Sequence, residues 1–120
     1  MNENEILNEI KIIEKRKNIK IPNKYKSFLS EEIKDIDAYE VQNGRGDNIY
    51  LYNCKDLIER NETYMIQDAE PNYLLIGQDG NIGYFINVKN GSDKIYSLDL
   101  GALGSLDMDE EAKDIYQLIT

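Results

Sequence analysis

The sequence predicts an α+β protein, with helices from the N-terminal, middle and C-terminal parts of the chain packed around one antiparallel sheet of about four to six strands. Three observations carry this expectation. Apolar residues recur at helical spacing at Ile6, Leu7, Ile10 and Ile13, and again at Ala112, Ile115, Tyr116 and Ile119. Between these stretches the period shortens to two, in Ile49-Tyr50-Leu51-Tyr52 and in Ile95–Leu100. Tight-turn residues then separate the later strands, at Asp79-Gly80-Asn81 and at Asn90-Gly91, so neighbouring strands run antiparallel.

Taken in order, residues 3–17 form an amphipathic helix that Asn18 breaks. Pro22 suits the first position of a second helix over 22–30, whose apolar stripe is Tyr25, Phe28 and Leu29. Residues 31–38 are polar and carry no clear period. Tyr39 and Val41 alternate with Glu40 and Gln42 in a short strand, and Asn43 to Asn48 read as a loop. After the strand at 49–52, Asn53 caps a helix over 54–65 with Asp56 in its first turn. Strands follow at Tyr73–Ile76, Ile82–Val88 and Ile95–Leu100, and Gly83 within the second suggests a bulge or a close backbone approach. A terminal helix starts near Asp107 and Asp109, which occupy its N-cap and first turn, and runs through the Ala112–Ile119 stripe. No repeat, linker or low-complexity segment divides the chain, so residues 1–120 read as one domain.

Composition narrows the chemistry. Net charge is −9, a poor match for nucleic acid or an anionic membrane. The absence of His removes Ser-His-Asp and Cys-His catalysis and His-ligated metals. A single cysteine, Cys54, excludes an internal disulfide and a multi-Cys metal site. The N-terminus does not resemble a secretory signal and no apolar run is of membrane-spanning length, so a cytoplasmic location is expected. Charge is also uneven. Residues 10–34 hold eight bases and three acids, net +5, and residues 62–120 hold three bases and eleven acids, net −8. This asymmetry describes either a solvated surface or an acidic face made for a basic partner.

Individual motifs have ordinary explanations. Arg45-Gly46-Asp47 lies in the predicted loop, and Gly77–Gly83 is a hairpin turn without the Lys and Ser/Thr of a phosphate-binding loop. The sequons at Asn61 and Asn90 carry no meaning in a cytoplasmic protein. Asp107, Asp109, Glu110 and Glu111 suit a helix terminus and mark no dedicated metal site. Cys54 stands near a helix N-terminus, where a thiol can be acidified, yet has no His as base; a structural role is the simpler reading. Of nine tyrosines, Tyr39, Tyr50, Tyr52, Tyr64, Tyr73, Tyr84 and Tyr96 are spread over the predicted sheet and the helix beside it, and alternation puts Tyr50 and Tyr52 opposite Ile49 and Leu51. They either pack under the helices or offer contact area.

The segment Ile19-Lys20-Ile21-Pro22-Asn23-Lys24-Tyr25-Lys26-Ser27-Phe28-Leu29 resembles the Pro-x-x-Tyr-x-x-Phe-Leu stretch of the SUKH superfamily. Tyr73-Leu74-Leu75-Ile76-Gly77-Gln78-Asp79-Gly80 is similar to its apolar strand and Gly-x-Asp-Gly turn, and Asn61-Glu62-Thr63-Tyr64 and Ile95-Tyr96 extend the likeness over about residues 5–119. The tryptophans common in such proteins are missing. The superfamily includes a fungal cell-wall-assembly regulator and bacterial immunity proteins of polymorphic toxin systems. The resemblance implies binding rather than catalysis, with no cofactor and no metal: a cytoplasmic immunity protein, monomer or weak dimer, that neutralises a cognate and basic toxin domain, many such toxins being nucleases. A regulatory or scaffold domain with another cellular partner is the alternative. An enzyme with paired carboxylates is a distant third, since it needs two carboxyls in one cleft. The residues expected at the interface are Glu70, Asp79, Asp93, Asp99, Asp107 and Asp109 for charge, with Tyr50, Tyr52, Tyr84 and Tyr96 for contact area.

Overall fold

The computed structural model describes residues 1–119. Helix α1 spans Glu3–Lys17. Asn2 and Glu5 satisfy each other's backbone amides in a reciprocal cap, and Asn18 ends the helix in the left-handed conformation. Ile6, Ile10 and Ile13 form its buried stripe. Helix α2 (Asn23–Phe28) begins after Pro22 and continues into a π turn over Leu29–Ile33, which extends the expected helix by three residues into the polar stretch 31–38. Glu14 joins the two helices: its carboxylate accepts from the Ile21 amide at 2.9 Å and pairs with Lys26 at 3.4 Å.

Six strands follow: β1 (Tyr39–Gln42), β2 (Asn48–Leu51), β3 (Tyr73–Asp79), β4 (Ile82–Asn87), β5 (Ile95–Asp99) and β6 (Asp109–Ala112). They form a single sheet in sequence order, and every neighbouring pair is antiparallel. The fold is therefore α+β, as the residue periods predict. Gly80, at φ +57°, makes the tight β3–β4 turn that a side chain would strain. The bulge lies in β3 between Leu75 and Gly77 rather than at Gly83. At Gly77 a Cβ would run into the Tyr50 carbonyl, whereas at Gly83 it would meet only side chains, those of Phe85, Leu100 and Leu75.

Helix α3 (Cys54–Thr63) is capped by Asn53, whose side chain accepts from the Asp56 amide at 2.9 Å. The helix expected over 54–65 ends at Thr63; Met65, in the left-handed region, separates it from a further short helix that was not expected, α4 (Ile66–Ala69). Both pack on β3, α1 packs against α3 and the π turn, and α2 packs against α5 (Ile115–Ile119). Phe28 meets Tyr39 and Tyr116 edge-to-face, at 5.9 and 5.5 Å, and so joins α2 to the sheet and to α5.

The terminal helix departs most from expectation. Asp109–Ala112 is a strand paired with β5, and the helix begins only at Ile115. Asp107 and Asp109 therefore do not cap it. Asp114 does, accepting from the Gln117 amide at 2.9 Å. The free edge of β5 supplies backbone partners that outweigh the poor strand propensity of Asp-Glu-Glu, and an edge strand tolerates charge because its outward groups face water.

The sheet also curls. β1 and β6 are its opposite edges, yet Arg45 in the β1–β2 loop pairs with Glu111 of β6 at 3.0 Å and with Asp47 at 3.2 Å. Ser97 donates to the other oxygen of Glu111 at 2.6 Å. The Arg-Gly-Asp tripeptide is thus engaged in holding the sheet edges together.

Candidate protein-binding surface

Strand register assembles the surface. Directly paired residues share a face of the sheet. Ile82 pairs with Asp99, Tyr84 with Ser97, and Ser97 with Asp109, which puts Ile82, Ser97, Asp99 and Asp109 on one face. The 3₁₀ turn Leu100–Ala102 and the loop after it carry Leu106 and Asp107 to the same place. Together they line an open groove of about 410 Å³. Leu106 is 66% exposed and Ile82 37% exposed, so the groove presents apolar surface to water.

Its charge is uncompensated. The neighbouring acids have partners: Glu110 pairs with Lys94 at 3.0 Å, Glu111 with Arg45, and Asp114 with Lys24 at 3.0 Å. Among the described residues, no cation stands within ion-pair distance of Asp79, Asp99, Asp107 or Asp109. The Asp99 carboxylate serves only locally, accepting from the Gly101 amide at 2.8 Å. Nor do the described residues gather three or more His, Cys, Asp or Glu side chains around one point suited to a metal ion. The groove's carboxylates are spread along a rim, which suits several separate cations better than one ion.

A second depression, of about 430 Å³, lies between Tyr50, Tyr52, Asp56, Arg60 and Gln78. Tyr50 is exposed, and its hydrogen bond to Glu40 raises its phenol pKa. Arg60 and Asp56 give this depression mixed charge.

The expected interface residues separate into three groups. Asp99, Asp107 and Asp109 converge on the groove. Tyr50 is exposed at the second depression, and Asp79 ends β3 without lining either. The others are occupied or covered. Glu70 accepts from the Gly104 amide at 2.8 Å, and Asp93 from the Lys24 amide at 3.2 Å. Tyr96 is half-buried edge-to-face against Tyr73 at 5.6 Å. Tyr84 is only 2% exposed although its register puts it on the face of Ile82 and Ser97: it lies near the Arg45, Asp47 and Glu111 charges that the sheet's curl brings together, and burial raises its phenol pKa. Tyr52 is 6% exposed: it lies one residue beyond β2, where alternation no longer applies, and its hydroxyl turns inward to donate to Gln78. Tyr52 and Tyr84 therefore offer little contact area. Cys54 is also buried, and desolvation pushes its thiol up to about 11, overriding the helix N-terminus.

Reading the sequence alone missed Ile82 and Leu106. Leu106 had one available signal, its place between Ser105 and Asp107 in a turn-rich stretch after the last predicted strand. Ile82 had none, because its exposure depends on where β4 meets β5.

These features define a small acidic α+β protein with a curled antiparallel meander and an open groove rimmed by carboxylates. The family model for the SMI1/KNR4 family (SUKH-1) matches residues 7–119, and the chain belongs to that family. Membership places it among immunity-like or regulatory proteins, which are generally not enzymes and work through protein–protein interaction. No curated protein matches the chain. Among the described residues, no helix is long and apolar enough to cross a membrane.

Proposed function

We propose that this protein is a cytoplasmic immunity protein that binds and neutralises a basic toxin domain. The observation that carries this reading is the groove's rim of carboxylates without cations, in an immunity-like family. Most bases of residues 10–34 lie on α1 and α2, and eleven acids fall in residues 62–120, among them Asp79, Asp99, Asp107 and Asp109, which have no counter-ion among the described residues. Such an arrangement raises the encounter rate with a basic surface and orients its approach. A toxin acting on nucleic acid has a basic active surface by necessity, which makes a nuclease domain a fitting target.

The experiment is neutralisation. A candidate toxin domain from the same genome is expressed with and without this protein, and cell survival is counted. Restored growth, together with a one-to-one complex in solution, is the expected result. A toxin that kills equally well in both cases, for every candidate encoded beside this gene, overturns the reading and favours the regulatory alternative within the family.

A further inference from the structure

We infer that the groove lined by Ile82, Leu106, Asp99, Asp107 and Asp109 docks a short partner segment in which an apolar anchor is flanked by Lys or Arg. This rests on the protein-binding reading above and specifies the partner's chemistry. Two separate features select that occupant. The first is apolar: Leu106 and Ile82 remain exposed beside a recess of about 410 Å³, room enough for a large side chain. An anchor seated there removes apolar surface on both partners from water.

The second is charge complementarity. Asp99 approaches from β5, and Asp107 and Asp109 from the entry to β6, all without cations, whereas Glu110 and Glu111 of the same strand both have theirs. The fold has paired the acids beside the groove and left the groove's own rim open. Lys and Arg carry their charge on long apolar stems, so they reach rim carboxylates while a neighbouring side chain fills the recess. A second copy of this chain would bring another −9 and the same acidic rim, and nucleic acid would be repelled.

The probe is a short synthetic peptide with a Leu-Phe pair between two Lys-Arg pairs, titrated into the isotopically labelled full chain and followed by methyl NMR. Two control peptides replace the bases by Glu or the Leu-Phe pair by Ser-Ser. The expected result is saturable shifts at the Ile82, Leu98 and Leu106 methyls. Affinity should fall about tenfold in the Asp107→Lys/Asp109→Lys double variant, and fall again in Leu106→Ser. Neither control peptide should bind. Shifts centred on the Ala38 and Leu51 methyls at the second depression, shifts scattered over methyls throughout the chain, or equal binding of the Ser-Ser control would overturn the inference. A protein that neutralises a toxin but ignores the peptide leaves the immunity reading standing and removes this one. Specific peptide binding without any toxin partner does the reverse.

Discussion

Asn61 holds Leu75 by both of its backbone groups. The Asn61 amide donates to the Leu75 carbonyl at 2.8 Å, and its oxygen accepts from the Leu75 amide at 2.9 Å. β2 pairs with β3 only at Gly77 and Gln78, so the β3 edge around Leu75 has no strand beside it. A side chain on α3, 1% exposed, supplies the missing ladder bonds. Gln67 continues the device, donating to the Tyr73 carbonyl and to the Asn61 oxygen.

Replacing Asn61 by Ala leaves two buried backbone groups without partners. The expected cost is about 3 kcal/mol, a drop of about 10 °C in melting temperature. Urea unfolding with an unchanged slope and a lower midpoint checks it. Asn61→Asp should be destabilising at neutral pH and partly recover in acid, because a carboxylate cannot donate to the Leu75 carbonyl but a carboxyl can.

Tyr25 gives the opposite expectation. Its hydroxyl is buried without a hydrogen-bond partner, and burial holds its phenol pKa well above the ordinary value. Tyr25→Phe removes an unmet polar atom and should leave stability unchanged or raise it by about 1 kcal/mol. A clear loss in calorimetry would mean that an internal water satisfies the hydroxyl.

Acid should weaken the C-terminal end. Asp114 accepts from the Gln117 amide and pairs with Lys24, and both hold its carboxyl below its ordinary value of 3.8. A depressed folded pKa means that this stabilisation is complete above the unfolded value and disappears as pH falls through the folded one. Thermal unfolding from neutral pH down to about pH 2 should therefore show wild type losing its advantage over Asp114→Ala below about pH 4. At neutral pH that variant should cost about 1 kcal/mol, the usual contribution of a cap.

Cys54 should be inert in the folded protein. With its thiol pushed up to about 11 and its side chain buried, modification by a disulfide reagent at pH 8 should be more than about a hundredfold slower than for a free thiol, and become fast in denaturant.

Much of the fold is legible in local pattern. Asn18, Asn53 and Gly80 mark ends and turns through chemistry that acts within a few residues. β6 was not legible, because Asp109–Ala112 becomes a strand only by virtue of the vacant edge of β5. The surface divides the same way. The acidity of Asp99, Asp107 and Asp109 is plain in the sequence, but their convergence depends on β6. The burial of Tyr84 depends on the sheet's curl, which brings the Arg45–Glu111 pair near it. The role of Asn61 was hidden for a related reason: on a helix it reads as one polar member of an apolar stripe, and only the open edge of β3 explains it.

The most direct measurement is a tagged pull-down from the native cell, with wild type and the Asp107→Lys/Asp109→Lys variant compared at about 50 mM and about 500 mM salt and the bound proteins identified by mass spectrometry. The account predicts one dominant basic partner carrying a toxic domain, retained by wild type at low salt and reduced by both high salt and charge reversal. Recovery of the same partner by both proteins at both salt concentrations, or of no toxin domain at all, would contradict it.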